Sequence, residues 1–176
     1  MCCLVTRKSL IINEILDILR WIIVTCCNLT LKLPNYEKEF MDIHDKLKIS
    51  FCHGDLHPLN VIWHHDQIRA VIDWEFTGMK PDIYDAANLV GCAGIEDPNG
   101  LGMPMVMTFL NHILRKNLFS KTEWRFFPEY VLALRFAWLS EWLRKKDEEM
   151  IEMEEAYMGI LLDNMDILRK EWEAVR

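Results

Sequence analysis

The chain has few of the residues that interrupt regular structure, with only 7 glycines and 6 prolines among 176 residues. Because 51% of the residues are hydrophobic, this composition excludes collagen-like, low-complexity and disordered sequences. The length is sufficient for one sizeable core and too short for two ordinary domains. We therefore expect a single folded unit that is rich in helix.

The cysteines are placed in a way that does not favour disulfides or a zinc site. Four of the six form the adjacent pairs Cys2–Cys3 and Cys26–Cys27, and Cα atoms about 3.8 Å apart are too close for a relaxed disulfide. The sequence also lacks a Cys-x-x-Cys pair. We expect reduced thiols and a cytoplasmic protein, with Cys52 and Cys92 serving as small apolar residues.

Positive charge is in the minority, since 20 lysines and arginines face 27 acidic residues and the net charge is -7. This balance disfavours binding to nucleic acid. The most apolar stretch, residues 10–33, contains Glu14, Asp17 and Arg20, which disfavours a membrane span and favours a buried helix. No small-residue cleavage site follows the first apolar residues, so we expect no signal peptide.

The spacing of apolar residues predicts helices over residues 9–30 and 36–47. A loop follows, and then two β-branched runs, residues 60–64 and 67–73, predict a hairpin that turns at His65-Asp66. Pro81 is expected to open a helix that ends around Gly91 and Gly94.

Further helices are predicted for residues 103–117 and, from a capping box at Ser120 and Glu123, for a stretch continuing through Trp142. Another long helical stretch fills the remainder of the chain. Residues 141–176 carry 11 acidic and 6 basic residues. This charge suits a solvated helical face or an acidic rim for a cationic partner.

Residues with catalytic potential are concentrated in HGDLHPLN, residues 53–60, and IDWE, residues 72–75. A hairpin returns its two ends to the same place, so we expect Asp55, Asn60 and Asp73 to converge. Two carboxylates and a carboxamide oxygen are hard ligands suited to Mg²⁺, which also binds phosphate oxygens. The pattern is typical of a phosphoryl-transfer site.

These two motifs resemble the catalytic core of the aminoglycoside phosphotransferase family, which includes choline and homoserine kinases and shares the protein kinase-like fold. The resemblance implies that Asp55 is the catalytic aspartate that orients the acceptor hydroxyl. It implies that Asn60 and Asp73 hold Mg²⁺ and, through it, the phosphates of ATP or another nucleoside triphosphate.

The resemblance also implies supporting roles for neighbouring residues. His53 is expected to pack and hydrogen-bond within the loop, and Asp85 to brace the catalytic loop. His57 is expected to order the loop through a hydrogen bond. Glu75 is either a neighbour of the metal site or an exposed turn carboxylate.

The expected fold is α+β and mainly helical, namely the C-terminal lobe of a kinase-like enzyme with a small hairpin carrying the metal site. Residues 1–48 would be leading helices, residues 49–78 the catalytic loop and hairpin, and residues 79–176 a helical subdomain on the substrate side. The resemblance implies that a glycine-bearing hairpin and a lysine on a neighbouring strand hold the triphosphate, and neither feature precedes His53 in this sequence. We therefore expect the nucleotide lobe to be missing from this chain, or to be supplied by a partner chain.

The expected function is transfer of the γ-phosphoryl group to a hydroxyl of a small molecule, and the acidic stretch favours a cationic acceptor. An inactive single lobe that acts as a binding or regulatory module is the main alternative. A metal-dependent hydrolase with His53, Asp55 and His57 as ligands is a third hypothesis.

Overall fold

The computed structural model describes residues 42–44 and 46–174. Its strands are β1 (Ile49–Cys52), β2 (Val61–His64), β3 (Gln67–Val71) and β4 (Gly78–Pro81), and its helices are α1 (Tyr84–Glu96), α2 (Pro104–Arg115), α3 (Lys121–Lys145) and α4 (Glu148–Glu173). Short 3₁₀ turns span Pro58–Asn60, Trp74–Phe76 and Pro98–Gly102. The mainly helical α+β prediction is confirmed. The helix predicted for residues 9–30 lies outside the described residues, as does most of the one predicted for residues 36–47.

The strands form two separate antiparallel pairs. Strands β2 and β3 make the predicted hairpin, with Val61 opposite Val71. Strands β1 and β4 pair from Ile49 opposite Pro81 to Cys52 opposite Gly78. The second pair was not predicted, because each strand has four residues and β4 begins with glycine and ends with proline. Its pairing holds together the two ends of residues 53–77, which include both motifs.

Helices α3 and α4 form the largest interface of the core, with α1 packed against α3. Their facing sides bury large apolar side chains, including Phe127, Leu139, Met158 and Leu161. The burial of such large apolar side chains is the main source of stability in a domain of this size. The helical part therefore contains most of the hydrophobic core.

The capping box at the start of α3 is confirmed. The Ser120 hydroxyl accepts from the backbone N–H of Glu123, and the Glu123 carboxylate accepts from the backbone N–H of Ser120 at 2.6 Å. This reciprocal pair satisfies two donors that the first turn of a helix otherwise leaves free. The helix runs three residues beyond Trp142, the last position through which the sequence predicted it, and ends at Lys145.

The start and end of α1 differ from the prediction. Pro81 completes β4 instead of opening the helix, which begins at Tyr84 and passes through Gly91 and Gly94 to Glu96. The two glycines do not end the helix. A Cβ at Gly94 would lie 2.2 Å from the Tyr157 hydroxyl oxygen, so this glycine permits close packing between α1 and α4.

A buried ion pair joins α3 to α4. The Arg135 guanidinium donates from Nε and Nη2 to the Glu154 carboxylate at 2.6 and 2.7 Å, and both side chains are excluded from solvent. The arginine also lies over the Tyr157 ring, and the Tyr157 hydroxyl donates to the Gly91 carbonyl. This cluster fixes α1, α3 and α4 relative to one another.

Within the described part of the chain, no helix is long and apolar enough to span a membrane.

Candidate active site

The loop that follows β1 is held by a carboxylate from the first turn of α1. The backbone N–H groups of His53 and Gly54 donate to the two oxygens of Asp85, at 2.7 and 2.8 Å. Gly54 has a φ of +87°, and a Cβ there would lie 2.1 Å from the Phe76 carbonyl oxygen. Glycine is therefore required at this position. Asp85, which accepts from two consecutive backbone N–H groups, is positioned to brace the loop.

His53 connects this loop to the end of the hairpin. Its ring is 5% exposed, and Nε2 donates to the Ile72 carbonyl at 2.8 Å while Nδ1 accepts from the Asp55 N–H at 3.3 Å. The ring edge packs on Trp74, with centroids 4.7 Å apart. Because both nitrogens are hydrogen-bonded, His53 has no nitrogen available for a metal. The three-ligand site of the hydrolase hypothesis is therefore not formed.

Asn60 lies directly beside Asp55. Its side-chain N–H₂ donates to the Asp55 carbonyl at 2.9 Å and to the Asp55 carboxylate at 3.2 Å. Both partners are acceptors, which fixes the orientation of the amide. Its Oδ1 accepts no hydrogen bond from any described residue, so the oxygen is available to a cation although the side chain is buried.

Asp73 is placed at the same end of the hairpin by its neighbour Ile72. The Ile72 N–H donates to the Asn60 carbonyl at 3.0 Å, while its own carbonyl accepts from His53. Asp73 itself is left-handed, with φ 64° and ψ 62°, and it is exposed. No side chain of the described residues pairs with its carboxylate.

These hydrogen bonds join Asp55 to Asn60, and Asn60 to Ile72, the residue that precedes Asp73. The donor set suits Mg²⁺, which takes one or two carboxylates and completes its shell with water and substrate phosphates. The free amide oxygen of Asn60 and the unpaired carboxylate of Asp73 are donors of that kind. Within residues 42–44 and 46–174, no cluster of three or more His, Cys, Asp or Glu side chains is arranged to hold a metal.

The two remaining predicted residues, His57 and Glu75, differ in their contacts. His57 Nε2 lies 3.6 Å from an Asp55 carboxylate oxygen, which is an ionic contact only when the imidazole is protonated. Glu75 is exposed in the 3₁₀ turn after Asp73 and makes no hydrogen bond or ion pair with another described side chain. The structure therefore brings His57 to Asp55 and leaves Glu75 as a turn carboxylate.

Asn88 also holds the loop that carries Asp55, although neither sequence motif includes it. Its side-chain N–H₂ donates to the Leu56 carbonyl at 3.1 Å. It lies three residues after Asp85, close to one helical turn, so both side chains share a face of α1. That spacing is the signal by which it could have been found.

Lys80 and Tyr84 also border the loop. Lys80 Nζ lies 4.6 Å from the centre of the Tyr84 ring. Burial lowers the pKa of Lys80, and burial together with the charges of Asp85 and Asp55 raises the pKa of Tyr84 to about 12. The phenol therefore stays protonated, as a hydrogen-bond donor, throughout the physiological pH range.

A family model described as the phosphotransferase enzyme family (APH) matches residues 27–127, which is more than half of the chain. The matched region includes both motifs and all four strands described above. The chain belongs to this phosphotransferase family. Comparisons with curated proteins and with solved structures returned no match.

Proposed function

We propose that the protein transfers the γ-phosphoryl group of ATP, or of another nucleoside triphosphate, to a hydroxyl group of a small molecule. Membership of the phosphotransferase family supports the reaction class. The site supports the assignment of roles, because the loop carrying Asp55 and the hairpin end carrying Asp73 are joined by hydrogen bonds through Asn60 and His53.

In this reaction the acceptor oxygen forms a bond to the γ-phosphorus while the bond from that phosphorus to the β–γ bridging oxygen breaks. The nucleoside diphosphate leaves with the electron pair, and the proton of the acceptor hydroxyl passes to the Asp55 carboxylate. The Asn60 amide, donating to that carboxylate at 3.2 Å, fixes its direction. Such a reaction depends mainly on positioning and on neutralisation of charge.

Asn60 Oδ1 and the Asp73 carboxylate are the groups that would hold Mg²⁺. When bound, the ion would neutralise phosphate charge and draw electron density from the transferred group. The chain contributes two fixed positions. Asn60 is locked by Asp55, and Asp73 follows a residue whose backbone is hydrogen-bonded on both sides.

The observation that carries this proposal is the orientation of the Asn60 amide. Its nitrogen is fully used by Asp55, so the oxygen is presented to a ligand from a buried position. An asparagine with only a structural role would be expected to satisfy both ends of its amide within the protein. This arrangement supports the proposal that Asn60 is a ligand residue whose orientation is fixed by the Asp55 carboxylate.

Calorimetric titration of the 176-residue chain with Mg²⁺-ATP tests the nucleotide half of the proposal. We expect saturable binding that falls at least about tenfold in Asp73→Asn, because one of the two proposed ligands loses its charge. Asp66→Asn is the matched control, since Asp66 is an exposed carboxylate at the other end of the same hairpin. Equal weakening in both variants would remove Asp73 from the metal role.

Phosphoryl transfer is tested with γ-labelled ATP and a mixture of hydroxylated amines, sugars and hydroxy acids. Asp55→Asn is expected to abolish transfer while leaving Mg²⁺-ATP affinity nearly unchanged. An Asp55→Asn variant that retains half of the transfer rate would contradict the role of this residue. A chain that binds Mg²⁺-ATP but labels no acceptor would favour the binding-module alternative.

A further inference from the structure

Lys80 differs from the other buried or partly buried arginines and lysines of the described residues. Arg135 is paired with Glu154, and Arg169 with Glu129 and Asp166. No carboxylate of a described residue lies within ion-pair distance of Lys80. Its charge is partly removed from water, and the acidic charge that acts on it, that of Asp85, makes no ion pair with it among the described residues.

The position of this charge is set by Gly54 and Tyr84. The Lys80 chain passes so close to Gly54 that a Cβ there would lie 2.8 Å from Lys80 Cε. Its ammonium then lies over the Tyr84 ring at 4.6 Å. Burial lowers the pKa of Lys80, in accord with a cation whose loss of hydration is not fully offset. Such a cation gains more from binding an anion than a fully solvated lysine does.

The Tyr84 hydroxyl is a second polar group without a partner. It makes no hydrogen bond to any described residue, and its oxygen is not fully buried. The hydroxyl therefore reaches solvent while the ring beneath it is mostly buried. A phenol in this position can donate to an oxyanion held by the neighbouring ammonium.

Both groups lie beside the residue that is proposed to orient the acceptor. Gly54, which Lys80 covers, immediately precedes Asp55, and the charge of Asp55 contributes to the raised pKa of Tyr84. The charge of Asp85 acts on Lys80 from beyond ion-pair distance, while its two oxygens accept from the N–H groups of His53 and Gly54. The ammonium and the phenol therefore lie near the loop that carries Asp55, and neither makes a hydrogen bond or an ion pair with a described residue.

We propose that Lys80 and Tyr84 form the recognition site for an oxyanion, a carboxylate or a phosphate, carried by the acceptor. The acceptor is then a hydroxylated anion, and not the cationic molecule that the acidic stretch of residues 141–176 suggested. Part of that acidity is internal, because Glu154 is buried against Arg135. This inference rests on the proposed phosphotransferase function and names the substrate class for the same site.

The test observes Lys80 directly, in the whole chain and without nucleotide, by ¹H–¹³C NMR of lysine labelled at the ε-carbon. The Lys80 signal is assigned as the one that disappears from the spectrum of the Lys80→Met variant. Methionine keeps most of the length of the lysine side chain. Glycerate and inorganic phosphate are the anionic probes, glycerol is the neutral analogue of glycerate, and choline is the cation. Lys116→Met is the matched control, because Lys116 is exposed at the end of α2.

We expect glycerate and phosphate to shift the Lys80 signal saturably, and glycerol and choline to leave it unchanged. Tyr84→Phe should weaken the binding of both anions about fivefold to tenfold through loss of one hydrogen bond, and Lys116→Met should have no effect. A response to choline equal to that for glycerate would overturn the proposal. So would a Lys80 signal that neither anion moves and that shifts only in a separate titration with Mg²⁺-ATP, since the anion site would then belong to the nucleotide.

Phosphoryl-transfer assays separate this inference from the function on which it rests. Glycerate bound at Lys80 with no transfer to any acceptor would refute the phosphotransferase role and leave an anion site. Transfer to an acceptor whose KM is the same in Lys80→Met would refute the anion site and leave the function. An increase in that KM of about tenfold, with little change in the KM for ATP, is the expected result.

Discussion

The strand-bearing segment, residues 49–81, and the helical part, residues 84–173, are held together by different forces. The helical part buries most of the large apolar side chains, whereas the segment exposes many of its own, such as Phe51 at 66%, Trp63 at 58% and Met79 at 54%. The segment is fixed by hydrogen bonds that run from Asp85, His53 and Asn60. Most of the hydrophobic core and the candidate residues Asp55, Asn60 and Asp73 thus lie in different parts of the chain.

The contrast has a direct consequence for how substitutions should act. Loss of apolar volume in the helical part removes contacts from a close-packed core and affects the whole fold. Loss of a polar contact in the segment removes one or two hydrogen bonds and releases a loop. Substitutions of buried apolar residues in the helical part should lower the free energy of unfolding. Substitutions of polar residues in the segment should change local hydrogen exchange and activity.

The largest expected effect comes from comparing two phenylalanines. Phe127 is fully buried in α3, and Phe51 is 66% exposed in β1. Phe127→Ala should lower the free energy of unfolding by about 3–5 kcal/mol, while Phe51→Ala should lower it by less than about 1 kcal/mol. Urea denaturation of the two variants beside the parent chain measures both values. Equal losses would show that the exposed apolar residues of the segment are covered in solution.

The next effect separates local from global stability. Asp85→Ala removes the acceptor of two backbone N–H groups and should speed hydrogen exchange at His53 and Gly54 about tenfold to a hundredfold. The unfolding midpoint in urea should change much less than in Phe127→Ala. Asp97→Asn is the control, because the Asp97 carboxylate also accepts a backbone N–H, from Asn99 at 2.9 Å, outside the site. Unchanged exchange at His53 and Gly54 would show that Asp85 does not hold the loop.

The two parts also differed in how well the sequence predicted them. Helical periodicity located α2, and the Ser120 and Glu123 pair located the start of α3, because these signals are local and depend on neighbours within one or two turns. The hairpin was found for the same reason, since its turn lies between two short β-branched runs. Local patterns were sufficient wherever an element is stabilised by its own residues.

Prediction was incomplete where the structure depends on contacts between distant residues. The pairing of β1 with β4 joins residues about 30 positions apart, and nothing in either four-residue strand indicates its partner. The glycines of α1 wrongly predict an end to the helix, because the packing of Gly94 against Tyr157 of α4 and of Gly91 against Val131 and Arg135 of α3 is not visible in the sequence. The roles proposed for Lys80 and Tyr84 also depend on distant residues, since they lie near Gly54 and Asp55. The candidate site residues were found through motif resemblance, which carries such information indirectly.

The smallest expected effect concerns the joint between the two parts, where two carboxyl groups meet. Asp82 follows β4, and its side chain is 10% exposed; Glu123 belongs to the first turn of α3. Lys48 contacts both, because its backbone carbonyl accepts from the Asp82 N–H, its N–H donates to Glu123, and its ammonium lies 3.5 Å from Asp82. Burial, together with the hydrogen bond to Glu123 and the charge of Glu123, raises the pKa of Asp82 from 3.8 to about 6.

A carboxyl group whose pKa is higher in the folded chain stabilises the fold in its protonated form. Its contribution is complete below about pH 4, the range of the unfolded value, and is lost as the pH rises through about 6. Asp82→Asn should therefore flatten this part of the stability profile and make the variant more stable than the parent by roughly 1 kcal/mol at pH 8. Urea unfolding at pH 4.5 and pH 8, with the exposed Asp66→Asn as control, measures the difference. A variant less stable than the parent at pH 8 would contradict this expectation. It would show that Lys48 holds the Asp82 carboxylate in its charged form as an ion pair.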